Sequence, residues 1–256
     1  MPQRMGKYTI ELENTPSIIG YAAVVGKKEA DGPLGQYFDE AYNDAFFGEK
    51  TFEKAETKMQ KMTIEAAVKK SGLSKSDIQI AFAGDLLNQC IGSSFDMRDL
   101  GFCFAGLYGA CSTMALSLAL AGVFVDSGAS KNALAAASSH FCSAERQYRF
   151  PLEYGGQRSP ASQWTVTGAG AAVVSEKEEN KPRIEKVIFG SVRDLGITDV
   201  NNMGAAMAPV SVKLRPYPNN KVWISTQTNA RKENIIKTNE HNIFQCYVHW
   251  FCIIEK

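Results

Sequence analysis

Gly106-Leu107-Tyr108-Gly109-Ala110-Cys111-Ser112-Thr113 is the stretch from which the fold is read. Leading into it, Phe102 to Tyr108 is mostly apolar and predicts a buried strand, and Gly109-Ala110 predicts a tight turn of small residues. Past it, Met114 to Val125 is almost wholly apolar and helix-compatible, with Ser112 and Thr113 available as caps. Cys111 then falls where a strand hands over to a helix start. Free backbone N–H groups and the positive end of the helix dipole favour a thiolate or a bound anion at such a place. A cysteine is also a small apolar residue that cores take up readily. The small-residue approach to the helix start tips the balance toward a site.

Working outward, the flanking segments repeat the strand-then-helix rhythm. Ile78 to Ala83 predicts a short strand ending at Gly84-Asp85, with Leu86 to Gly92 a loop or helix turn behind it. Ala133 to Ser139 predicts a small-residue strand ending at His140. Strands alternating with helices, with near-continuous apolar strands, define an α/β class with a largely parallel core. Ligands of such sheets collect at the carboxyl ends of strands. Asp85, Cys111 and His140 each lie just past a strand end, so one rim can hold all three. His140 is the only histidine before His241. A lone histidine is commonly a satisfied structural residue, and here a Cys–His pair is the competing reading.

The remaining chain supplies the layers. Ile18 to Val25 predicts a first strand, and Asp31-Gly32-Pro33 is turn chemistry. The aromatics Tyr37, Phe38, Tyr42, Phe46 and Phe47 are expected to pack on the domain. From Thr51 an amphipathic helix is predicted, with Phe52, Ala55, Met59, Met62 and Ala66 on its apolar face, lysines and glutamates on the other, and Gly72 as its stop. Arg146 and Arg149 could meet an anion or form a solvated face. Trp164 to Val174 predicts a strand broken by glycines. It makes a poor phosphate loop, since no helix with Lys or Ser/Thr follows, and close approach of another backbone is the expected cause. Ile184 to Val192 predicts a further strand. After Pro209 the chain becomes rich in asparagine, lysine and β-branched residues without a sustained period, which predicts little order.

Composition bounds the function. The 256 residues carry a net charge of +1, which gives no reason to expect nucleic acid as a partner. The six cysteines (Cys90, Cys103, Cys111, Cys142, Cys246 and Cys252) lack paired CxxC spacing, and His241 and His249 add no ligand pattern, so no metal or cofactor is expected. The opening Met1-Pro2-Gln3-Arg4-Met5 has no apolar core of a signal peptide, and the run after Cys111 stops at Asp126, short of the ~20 apolar residues that span a bilayer. A protein on the cytosolic side is the expectation.

Four segments carry a resemblance: Ala83-Gly84-Asp85-Leu86-Leu87-Asn88-Gln89, the Cys111 turn, Ser138-Ser139-His140 with Ala144-Glu145-Arg146-Gln147, and Gln163-Trp164-Thr165-Val166-Thr167-Gly168-Ala169-Gly170-Ala171. They resemble the thiolase-like superfamily and, within it, a family of sporulation proteins of spore-forming Firmicutes. The resemblance runs from about Thr9 to Pro209. It implies an α/β fold of two similar halves, each a five-stranded mixed sheet layered with helices. Residues 1–175 correspond to the first half with the cysteine turn, complete. Residues 176–209 correspond to the start of a second half that is otherwise largely missing, and 210–256 to a divergent tail. It also implies a non-enzymatic binder of dipicolinic acid, free or as its calcium chelate, acting in uptake into and release from the spore. Such a protein would sit peripherally on the cytoplasmic side of the spore inner membrane, beside membrane proteins of the same operon, and could form a homodimer. A small aromatic dicarboxylate calls for a flat apolar slot and charge-assisted donors. The candidate ligand-binding residues are Cys111, His140, Trp164, Phe104 and Asp85. The enzymes of the superfamily use the cysteine at the Cys111 position as a nucleophile with partners from the second half. An acyl transferase is therefore one alternative, and a scaffold subunit of a membrane transport complex is another.

Overall fold

A computed structural model describes residues 1–148, 165–190, 196, 198 and 221–225. At its centre five strands run side by side: β3 (Ser17–Gly26), β8 (Gly168–Ser175), β7 (Asn132–Ser139), β5 (Ile80–Gly84) and β6 (Phe104–Gly106). β5 is parallel to both β7 and β6, while β8 is antiparallel to both β7 and β3. The sheet is therefore mixed, where strand–helix alternation alone predicts a largely parallel one. Beyond β3 it continues through β9 (Arg183–Ile188), β2 (Thr9–Glu11) and β1 (Gln3–Met5). After β3 come the one-turn helix α1 (Lys27–Ala30) and the short β4 (Glu40–Tyr42), which lies parallel to the end of β3.

Two helices sandwich the sheet, and period-two alternation in β7 shows how. Ala133, Ala135 and Ala137 join the core under α4 (Thr113–Asp126), with Leu118, Ala121 and Val125. Leu134 and Ala136 point the other way, to Ile64, Ala67 and Val68 of α2 (Phe52–Ser71). Alanine suits a strand pressed from both faces, because its small side chain lets each helix come close. Gly20 of β3 goes further: a Cβ there would stand 2.5 Å from Ala67 O and Ser71 N of α2. The ends of α2 follow the predicted signals. Thr51 Oγ1 accepts from Lys54 N, and Gly72 takes the left-handed conformation at φ 75°.

Several expectations are corrected. The strand entering the cysteine turn is short and partly exposed at the sheet edge, so it is not buried. A helix missing from the sequence reading, α3 (Ile91–Leu100), fills the connection from β5 to β6. The glycines of β8 do not all admit a neighbouring backbone, since nothing lies within 4 Å of a Cβ built on Gly170. Within the tail, Lys221–Ser225 forms β10, parallel to β9. The aromatic segment does pack on the domain: Phe47 is buried and stacks on Tyr42 at 4.8 Å between ring centroids, and Phe46 stacks on Phe52 at 4.3 Å.

Candidate functional site

Because β5, β6 and β7 are parallel neighbours, their carboxyl ends lie on one side of the sheet. Gly84 pairs with Ala137, and Gly106 pairs with Ala83. Asp85, the Leu107–Ser112 turn and His140 leave these strand ends, as the sequence predicts. The turn is laid directly over Gly84. Leu107 N donates to Ala83 O at 2.8 Å, and a Cβ on Gly84 would fall 1.9 Å from Leu107 O and 2.8 Å from Thr113 Cγ2. Cys90 Sγ donates to Leu107 O at 3.1 Å and so ties the start of α3 to the same turn.

Cys111 lies in a single 3₁₀ turn, Ala110–Ser112, that leads into α4, and it is exposed. Ala110 is held at φ 45°, outside the range that a residue with a side chain prefers. The expected capping by Ser112 and Thr113 takes another form. Ser112 makes no side-chain cap; its Oγ donates backward to Gly109 O at 2.8 Å, while Thr113 Oγ1 accepts from Gly109 N at 3.3 Å. Both hydroxyls thus fasten the turn, and the first N–H of α4, that of Thr113, donates to Ala110 O within it.

The other predicted residues are engaged in structure. His140 is wholly buried, its Nε2 2.7 Å from Ala45 O and its Nδ1 accepting from Cys142 N at 3.2 Å. Its ring stacks on Phe52 at 5.0 Å and Phe141 at 5.4 Å. Nδ1 acts as an acceptor and Nε2 faces a carbonyl, so the ring is the neutral tautomer with its hydrogen on Nε2, and burial lowers its pKa below the ordinary value. Neither nitrogen is available to Cys111. This corrects the Cys–His pair: the ring is turned to the 45–52 segment, not to the turn. Asp85 is also wholly buried. Its Oδ1 accepts from Leu87 N at 2.8 Å, and Oδ2 accepts from Ser93 N and Ser93 Oγ, each at 2.7 Å. Burial raises its pKa while these donors oppose the rise. Asp85 closes the β5–α3 connection and offers no oxygen to a ligand. Phe104 is partly buried and packs on the α2 side of the sheet against the Ile64–Leu134 core. Trp164 lies outside the described residues, as does Arg149.

Sequence reasoning missed two buried polar residues beneath the rim, Glu56 and Gln60 of α2, at 0% and 1% exposure. Glu56 Oε1 lies 3.1 Å from Ser138 Oγ, and Oε2 lies 2.7 Å from Ser143 Oγ. Gln60 Nε2 reaches Gly84 O at 3.3 Å, Ser93 Oγ at 3.1 Å and Ser138 Oγ at 3.2 Å. Burial, then the charge of Asp85, pushes the Glu56 carboxyl up to about 8. The signal was present in the sequence: 56, 60, 64 and 68 form one helical row that ends in Ile64 and Val68. Among the described residues no group of three or more His, Cys, Asp or Glu could hold a metal ion. No helix there is long and apolar enough to cross a membrane.

A mixed sheet between helices, with a cysteine turn opening the helix on one face, defines an α/β protein. Similar solved structures include the priming β-ketosynthase from the R1128 polyketide pathway, 17% identical with a TM-score of 0.44, covering 68% of this chain and 52% of that one. Another is 3-oxoacyl-[acyl-carrier-protein] synthase III from Aquifex aeolicus VF5, 20% identical with a TM-score of 0.44, covering 64% and 55% respectively. Residues 6–216 match the family described as stage V sporulation protein AD, and the chain belongs to that family. Stage V sporulation protein AD of Bacillus subtilis (strain 168) is 42% identical over 206 residues, which are 80% of this chain and 61% of that protein. The chain thus spans about three fifths of the length of its curated relative.

Proposed function

We propose that this chain is a sporulation protein that binds dipicolinate, free or as its calcium chelate, at the Cys111 rim and serves its passage into and out of the spore. The observation that carries the reading is membership of the sporulation family across residues 6–216, a span that includes the whole rim. The geometry supports the chemistry. The exposed Cys111 lies at the N-terminal end of α4, and the positive end of a helix dipole favours carboxylates. The site residues narrow accordingly to Cys111 and the turn that holds it, because Asp85 and His140 are bonded internally. Action beside membrane proteins of the same operon, at the cytoplasmic face of the spore inner membrane and as a homodimer, belongs to the same proposal.

Acyl transfer through Cys111 is the competing reading, and the exposed position of the cysteine favours it. Against it stands His140, a candidate base by position only, whose two nitrogens are both engaged. Incubation with acyl-CoA followed by mass spectrometry separates the two. A binder gains no acyl group on Cys111, and an enzyme does. Calorimetry with dipicolinate separates the binder from a scaffold without a ligand.

A further inference from the structure

Beneath the rim runs an unbroken chain of buried side chains: Glu56 to Ser138, Ser138 to Gln60, Gln60 to Ser93 and Ser93 to Asp85, each step between 2.7 and 3.2 Å. It joins α2, the end of β7, the start of α3 and the end of β5. A branch leaves Glu56 Oε2 for Ser143 Oγ on α5 (Phe141–Tyr148), the helix that follows His140. Ser143 Oγ also lies 3.1 Å from His140 O.

The donors and acceptors along this chain leave room for a proton on Glu56. Asp85 receives only donors, two N–H groups and the Ser93 hydroxyl, as a charged carboxylate does. Ser138 Oγ receives the Gln60 N–H and spends its own hydrogen on Glu56 Oε1. Ser143 has one hydrogen and two oxygens in reach, Glu56 Oε2 and His140 O. Ser143 Oγ can share its hydrogen between the two, and a hydrogen on Oε2, donated to Ser143 Oγ, would free Ser143 to donate to His140 O alone. The charged groups around Glu56 agree. Asp85 comes from the β5 end and Glu53 from the preceding turn of α2, both acidic. The His140 ring, at the start of α5, is held neutral by burial. Among the described residues no lysine or arginine pairs with it.

We propose that Glu56 is kept as a neutral acid whose proton latches the start of α5 to the rim, so that opening of the His140–Ala144 segment is coupled to release of that proton. This holds whichever ligand the rim takes. In the closed form the acid keeps its proton to high pH; in the open, wetted form it becomes an ordinary glutamate and gives the proton up. Opening is therefore favoured as pH rises between the two titration points and levels off above the closed-form value.

Amide exchange of His140 to Ala144 in the full chain, corrected for intrinsic exchange, tests this. The opening equilibrium should rise roughly tenfold per pH unit from about pH 5.5 to 8, as one coupled proton requires. Glu56→Gln, which keeps the neutral shape, should remove that slope. A slope unchanged in Glu56→Gln overturns the proposal. Carboxyl ¹³C titration of the unsubstituted chain decides independently if the variant does not fold. One glutamate titrating far above the rest is expected, and glutamates that all titrate in the ordinary range overturn it.

Discussion

At the scale of single residues, two buried carboxylates set how stability depends on pH. Glu56 has only serine hydroxyls as partners, and Asp96 of α3 has none for either oxygen. Burial pushes both up to about 8, with Lys61 partly offsetting the effect at Asp96. A group whose folded pKa lies above its unfolded one holds its proton in the folded state after the unfolded chain has lost it. Stability is then fully present below the ordinary carboxylate range and falls as pH rises toward 8, by up to about 1.4 kcal/mol per pH unit for each group. Asp96→Asn and Glu56→Gln should each flatten that decline, so urea midpoints of variant and parent converge near pH 5 and separate by pH 8. At Cys111, Cys111→Ala should weaken dipicolinate binding about tenfold or more and leave the circular dichroism spectrum unchanged. Equal affinity in the two proteins would take Cys111 out of the site.

At the scale of elements, close approach governs what can change. A Cβ on Gly20 meets the backbone of α2 at Ala67 and Ser71, which cannot yield as a flexible side chain can. Gly20→Ala should destabilise the chain by about 1–3 kcal/mol, toward the upper end, measured by urea denaturation. How far the elements were legible follows from the same physics. α2 was readable to its ends because Thr51 and Gly72 are strong local signals. β7 was readable because an apolar run has few other uses. α3 was not, because Ile91-Gly92-Ser93-Ser94 has no apolar stripe, and what starts this helix is the long-range bond from Ser93 to Asp85. His140 and Asp85 were placed correctly at strand ends, but position could not show that their polar atoms face inward. Glu56 was misassigned to the solvent face, and Gln60 was passed over, because a glutamate among lysines matches an exposed pattern until the row is followed to Ile64 and Val68.

At the scale of the whole molecule, the family match covers the chain from residue 6 to residue 216 and places the Cys111 rim within a sporulation protein. Three strand ends, one glycine that admits Leu107 O, and a turn tied by Ser112 and Thr113 leave Cys111 exposed ahead of α4, whose first residues Thr113 and Met114 are buried. Beneath it, Asp85 and His140 spend their polar atoms on bonds within the protein. The positive end of α4 behind the exposed Cys111 suits an anion, as the proposed function requires. Calorimetric titration of the chain with dipicolinate, with and without calcium, measures this claim most directly. Saturable heat that weakens in Cys111→Ala is the predicted result. No heat from dipicolinate in either condition, together with stable acylation of Cys111 by acyl-CoA, would contradict it.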